Sequence, residues 1–124
     1  MSKKKKVLIV EDEVIHALSL QMFLTNKGYD TCKIMTKGEN AILAADEDNP
    51  DIVIMDINLA GQMDGFKTAE MIKTKHEIPI IFLTGYSDKN IIQKADSFSD
   101  SVCLKKPTSP DRVYFEIEKL FNGS

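Results

Sequence analysis

At 124 residues and 43% apolar content, the chain is long enough to bury one real core but too short for a second fold, so residues 1–124 are expected to form a single domain. A net charge of −3 and the lack of an aromatic-plus-basic stripe argue against nucleic-acid binding. No apolar stretch nears the ~20 residues of a membrane span, and Met1-Ser2 leads straight into lysines, so a soluble, unprocessed, cytoplasmic protein is expected.

The only basic run, Lys3 to Lys6, reads as a solvated lead-in to the first strand rather than a patch for membrane or nucleic acid. That strand is Val7 to Val10, running into Glu11 and Asp12. A helix follows from about Glu13 to Asn26, with Ile15, Leu18 and Met22 as its apolar face, and Gly28 stops it. A weaker second strand spans about Thr31 to Met35. Thr36 and Glu39 have capping-box spacing for a helix reaching about Asp46, closed by Asn49-Pro50.

The third strand, Ile52 to Met55, ends in Asp56. After the loop Asn58 to Asp64, Phe66, Ala69 and Ile72 mark a helix to about Lys75. Pro79 opens a fourth strand, Ile80 to Leu83, which runs into Thr84. Ser87 can cap a helix with the stripe Ile91, Ile92, Ala95 and Phe98. Val102 to Leu104 is the last strand, running into Lys105 and Lys106. Ser109-Pro110-Asp111 then supplies a cap, a proline at the first helical position and a first-turn acid, and Val113, Ile117 and Leu120 give the final helix its buried face.

Short apolar runs alternating with amphipathic segments define an α/β fold, a single doubly wound (βα)5 unit on a parallel five-stranded sheet. A strand covered on both faces is continuously apolar, whereas an edge strand is mixed. The first, third and fourth runs are continuous and the second and fifth mixed, which favours the flavodoxin-like order 2-1-3-4-5. Cys32 and Cys103 would then lie four strand spacings apart, roughly 19 Å, too far for a disulfide. Both read as small buried hydrophobes in a reducing compartment.

In that order the chain reverses direction between the first and third strands, so Glu11, Asp12 and Asp56 converge at the switch point. Two carboxylates about 5 Å apart repel by ~3 kcal/mol at an effective dielectric of 20, so the trio requires a cation or a proton. Oxygen ligands suit Mg²⁺ or Mn²⁺ rather than zinc. A strand-end carboxylate beside such an ion can be a nucleophile toward phosphorus, with Asp56 as acceptor and Asp12 as main metal ligand. Thr84 and Lys106 are placed to donate to the phosphoryl oxygens, and Gly85 keeps the approach clear.

From about Lys5 to Asn122 the chain resembles the receiver domain of two-component response regulators. The motifs are Glu11-Asp12, Met55-Asp56, Met63-Asp64-Gly65, Leu83-Thr84-Gly85 and Lys106-Pro107, in order and spacing. The resemblance implies Mg²⁺ held by Asp12, Asp56 and the backbone carbonyl of Asn58, with Glu11 helping through water. It implies Asp56 as phosphoacceptor, Thr84 as switch hydroxyl and Lys106 as phosphate-pairing lysine. A cis Lys106-Pro107 bond is expected on the same ground.

Implied partners are a sensor histidine kinase or histidine phosphotransfer protein, and a downstream protein met through the fourth helix, fifth strand and fifth helix. A phosphorylation-linked dimer is a further option. Such a domain is not an enzyme beyond catalysing its own phosphorylation and dephosphorylation.

Two features depart from that family. Cys103 stands where receivers commonly carry Tyr or Phe, too small to fill the space an aromatic vacates. The loop Asn58 to Met63 lacks the usual proline and is one residue longer, with Gly61 expected at positive φ. Asn58 and Tyr86 are expected to border the path of attacking water and to tune phosphate lifetime. His16 and His76 read as solvent-facing without a positioned acid, and the six methionines as core filler.

Two competing functions stay open at this level. A haloacid-dehalogenase-like phosphatase also uses a strand-end aspartate with Mg²⁺, Thr and Lys, but Asn58 stands where its second Asp would be, and no segment could be a cap. A phosphate-independent interaction module would tolerate Cys103.

Overall fold

A computed structural model describes residues 4–59, 63–85 and 89–122. The expectations for Gly61, Tyr86 and Ser87 lie outside these residues. Five strands, β1 (Lys6–Val10), β2 (Asp30–Thr31), β3 (Ile52–Asp56), β4 (Ile80–Thr84) and β5 (Ser101–Lys105), form one sheet in the order β2-β1-β3-β4-β5. All pairings are parallel. The helices are α1 (Val14–Asn26), α2 (Gly38–Asp48), α3 (Gly65–Lys73), α4 (Lys89–Asp96) and α5 (Pro110–Asn122).

Alternation along the central strands sends side chains to two cores. Leu8, Val10, Val53, Met55, Ile80 and Phe82 pack with Ala41, Ala45, Phe66, Ile72 and Ala95 from α2, α3 and α4. Val7, Ile9, Ile52, Ile54, Ile81 and Leu83 pack with Ala17, Leu20 and Leu24 of α1 and with Val113 and Ile117 of α5. Both faces are covered, which is why β1, β3 and β4 read as unbroken apolar runs.

Several local expectations need correction. The buried face of α1 is Ala17, Leu20 and Leu24, while Ile15, Leu18 and Met22 are exposed at 84%, 46% and 67%. Both sets share the spacing i, i+3, i+7, and packing against the sheet selects the set Ala17, Leu20 and Leu24. Ile92 is exposed on α4, where Ala95 is the buried residue, and Met71 joins Met22 at the surface.

The β2 ladder is only two residues long, because the exposed Lys33 and its neighbour Ile34 leave the sheet before Met35 returns to bridge Val10. Helix α2 starts one residue beyond the expected capping box: Lys37 holds the cap position, with no side-chain hydrogen bond there. His76 is not free of acid, since its Nε2 lies 2.8 Å from Asp46 Oδ1 on α2.

Other signals hold. Asn49 adopts φ 49° and ends α2 in the left-handed region. Ser109 Oγ accepts from Arg112 N at 3.2 Å at the start of α5. Lys4 and Lys5 are exposed. Both cysteines are free thiols; Cys32 is buried as expected whereas Cys103 is only half-buried, and desolvation raises the pKa of each, Cys32 to about 11. The Lys106-Pro107 bond is cis. Among the described residues no helix is long and apolar enough to cross a membrane.

Candidate functional site

The β1, β3, β4 and β5 termini bring Glu11, Asp12, Asp56, Thr84 and Lys106 to one edge of the sheet. Asp56 is the last residue of β3 and is 1% exposed. Its two oxygens have separate partners. Asn58 N donates to Oδ1 at 3.0 Å, and Lys106 Nζ donates to Oδ2 at 3.0 Å. Asn58 itself is exposed on the loop after β3, so it meets Asp56 through its backbone.

Glu11 is 3% exposed. Its backbone N–H donates to the Met35 carbonyl, continuing the β1 edge, and its Oε1 accepts from Glu13 N at 3.1 Å. One carboxylate oxygen from each of Glu11, Asp12 and Asp56 lies within 4.8 Å of the others. That spacing and an all-oxygen donor set fit a small hard dication. Asp12 is half-buried, on the more open side of the trio.

Glu11, Asp56 and the neighbouring Glu13 share one ammonium. Lys106 Nζ lies 3.4 Å from Glu11 Oε2 and 3.7 Å from Glu13 Oε1 as well as beside Asp56. Burial pushes Glu11 up from the ordinary 4.5 to about 7, with the Asp56 charge adding to the rise and Lys106 opposing it. Burial pulls the Lys106 pKa down, yet the hydrogen bond to Asp56 and the charges of Asp56 and Glu11 outweigh it, so the ammonium is held more firmly than usual.

Thr84 is 1% exposed at the end of β4, and its carbonyl accepts from Lys106 N at 2.7 Å. This bond ties the hydroxyl-bearing residue to the lysine through the backbone. Gly85 has nothing within 4 Å of where a Cβ would sit, so the approach beside Thr84 is open. Gly65 is the opposite case: a Cβ there would fall 2.2 Å from the Asp56 carbonyl oxygen, so the start of α3 can press against the Asp56 backbone only as glycine. Asp64 caps that helix, its Oδ1 accepting from Lys67 N at 2.8 Å.

Glu11, Asp12, Asp56, Thr84 and Lys106 therefore gather at this edge, with Asn58 on the adjoining loop. Glu13 was not among the residues selected from the sequence, although it reaches Lys106; a third consecutive acid after Glu11-Asp12 was the available signal.

A doubly wound sheet with an acidic cluster and a lysine at its switch point defines a class, and comparison with known proteins gives the family. The chain belongs to the response regulator receiver domain family, which it matches over residues 7–118. It is 31% identical over 120 residues to the transcriptional regulatory protein YdfI of Bacillus subtilis, covering 96% of this chain and 56% of that protein. It is 32% identical to the transcriptional regulatory protein PdtaR of Mycobacterium tuberculosis, covering 85% of this chain and 51% of that protein. The chain thus spans about half the length of the curated relatives it matches.

Among solved structures it superposes on the signal receiver domain of a modulated diguanylate cyclase from Desulfovibrio desulfuricans with TM-score 0.86 and 34% identity, covering 98% and 96% of the two chains. The chemotaxis protein CheY4 of Vibrio cholerae shares the fold, with TM-score 0.86 at 22% identity, over 95% and 99% of the two chains.

Proposed function

We infer that this receiver domain takes a phosphoryl group from a phosphohistidine of a sensor kinase or histidine phosphotransfer protein and holds it on Asp56. The observation that carries this is the setting of Asp56: a buried strand-end carboxylate with Lys106 Nζ 3.0 Å from one oxygen and two further acids within 4.8 Å. A buried cluster of this kind is costly to fold, and it becomes useful when a cation and a phosphoryl group arrive together.

Glu11, Asp12, Asp56 and the Asn58 carbonyl are the residues that would hold Mg²⁺ or Mn²⁺. Bound there, the ion would neutralise the phosphoryl oxygens and keep them in line with Asp56. An Asp56 oxygen attacks phosphorus as the P–N bond to histidine breaks, and the released ring nitrogen keeps the bonding pair. Lys106 and the Thr84 hydroxyl donate to the phosphoryl oxygens, and the Lys106 N to Thr84 carbonyl bond holds the two backbones side by side. The reaction is one self-modification per molecule rather than turnover of a substrate.

Residues 1–124 act in this reading as one cytoplasmic receiver unit. Val14, Ile15, Leu18 and Met22, exposed on α1 directly after the acidic pair, give a protein donor an apolar surface beside the acceptor. Ile92 of α4 and Phe115 of α5, also exposed, support a readout face on α4, β5 and α5, whether toward another protein or a second copy.

Incubation with Mg²⁺ and acetyl phosphate should add the mass of one phosphoryl group, and Asp56→Asn should abolish the gain. Absence of modification in the unaltered chain, with no uptake of a beryllofluoride mimic either, would overturn the acceptor reading. Steady hydrolysis of p-nitrophenyl phosphate would point to a phosphatase instead.

A further inference from the structure

Three phenylalanine rings from three elements meet beneath the phosphoacceptor edge. Phe82 of β4 is fully buried, and its register partner on β5 is the small Cys103. Phe98, from the turn after α4, lies with its ring centroid 5.2 Å from that of Phe82. Phe98 stacks on Phe66 of α3 with 7° between the planes and centroids 6.1 Å apart, and Phe66 lies 5.3 Å from Phe82.

The cluster touches the surroundings of the acceptor twice. Phe82 and Thr84 are two apart on one strand and share a face of the sheet. Phe66 directly follows Gly65, which is pressed against the Asp56 carbonyl. On its other side the cluster grips α4 by its C-terminal end. Ser101 Oγ lies 2.8 Å from both the Ala95 and Phe98 carbonyls, and Lys73 Nζ donates to the Ser99 carbonyl at 2.5 Å. Lys94 lies over the Phe66 ring, 5.0 Å from its centroid. Nearer its start α4 is held by Ile91, half-buried against the same core, while Ala95 is its fully buried residue and Lys89 and Ile92 are exposed.

We propose that the Phe66, Phe82 and Phe98 ring cluster is the joint through which a change at Asp56 and Thr84 repositions α4. The inference rests on the acceptor reading above and adds the route by which that site is read. A packed ring trio is stiff, so a shift at the end of β4 or the start of α3 moves Phe98 rather than being absorbed. Cys103 cannot carry the same motion, having no bulk to displace its neighbours. Phe98 carries it into the anchored end of α4, and the helix follows about that end. The three rings are thus positioning residues that touch neither phosphate nor metal.

The test is to load the full chain with Mg²⁺ and beryllofluoride and follow backbone amide and aromatic resonances. In the unaltered protein, the α4 amides from Ile91 to Ala95 and the ring signals of Phe66, Phe82 and Phe98 should all shift. Phe98→Leu should still take acetyl phosphate on Asp56 and shift the amides beside it, while its α4 response shrinks at least roughly twofold. Phe98→Tyr, which keeps the ring, should restore the α4 response. An undiminished α4 response in Phe98→Leu would overturn the proposal. So would α4 amides that move in the unaltered protein while the three ring signals stay fixed, a result that decides the matter even where Phe98→Leu does not fold. Failure of the unaltered protein to be labelled on Asp56 would instead remove the acceptor reading, and this inference with it.

Discussion

Lys106 Nζ lies 3.0 Å from Asp56 Oδ2, and the same ammonium is 3.4 Å from Glu11 Oε2, so one cation serves two buried carboxylates. Removing one partner of a buried ion pair leaves an uncompensated charge, at a cost of about 3 kcal/mol. Lys106→Met should therefore lower stability by about that amount in metal-free urea unfolding, and added Mg²⁺ should narrow the gap to the unaltered protein. The variant should also label about 10²-fold more slowly with acetyl phosphate. A stability loss unchanged by Mg²⁺ would show that the acids do not share a dication.

Helices α2 and α3 touch through a missing side chain. A Cβ on Gly38 would fall 2.1 Å from Thr68 Oγ1, and Thr68 is fully buried with its hydroxyl donating to the Asp64 carbonyl. Gly38→Ala should cost about 1–3 kcal/mol through overpacking. In a Thr68→Ala background the same change should cost distinctly less, because the obstructing atom is gone. Equal costs in the two backgrounds, read from urea midpoints, would rule out this contact as the cause.

Capping separates two similar-looking sequence signals. Asp64 and Ser109 accept backbone hydrogen bonds at the starts of α3 and α5, whereas α2 has no side-chain cap. Asp64→Ala and Ser109→Ala should each lower stability by about 1 kcal/mol. Thr36→Ala should stay within about 0.5 kcal/mol. A loss at Thr36 matching that at Asp64 would contradict the observed start of α2.

The surface pair His76 and Asp46 predicts a pH response of known sign. The hydrogen bond from His76 holds the Asp46 carboxyl below its ordinary 3.8, with Lys75 adding to the effect. A carboxyl depressed in the folded state contributes stability above its unfolded pKa and loses it as pH falls through the folded value. The carbon resonance of the Asp46 carboxyl should therefore titrate with a midpoint below 3.8, and His76→Ala should move that midpoint up toward it. An unmoved midpoint would show that His76 is not the cause.

What the sequence revealed follows from the physics of each element. Strand order was legible because Ile52 to Met55 and Ile80 to Leu83 are covered on both faces, leaving no polar position in either run. The site was legible for the same reason: Glu11, Asp56, Thr84 and Lys106 stand where apolar runs stop. The face of α1 was not, since Ile15-Leu18-Met22 and Ala17-Leu20-Leu24 satisfy one periodicity and differ only in what the sheet admits. Contacts between remote segments were equally hidden. Asp46 and His76 lie 30 positions apart on separate elements, and neither is unusual in its local context. The ring cluster was divided in the same way among α3, β4 and the turn after α4.

The two-residue β2 ladder has a consequence for assembly. An edge strand with a long row of open backbone groups is a template on which other chains can add, the first step of fibril growth. Here the row is cut after Thr31, Lys33 places a charge in the gap, and pairing resumes at a lone bridge to Met35. Any incoming strand would find two short stubs separated by a solvated lysine. This side of the sheet is thereby guarded against amyloid-type stacking, which matters for a chain whose three central strands are almost wholly aliphatic.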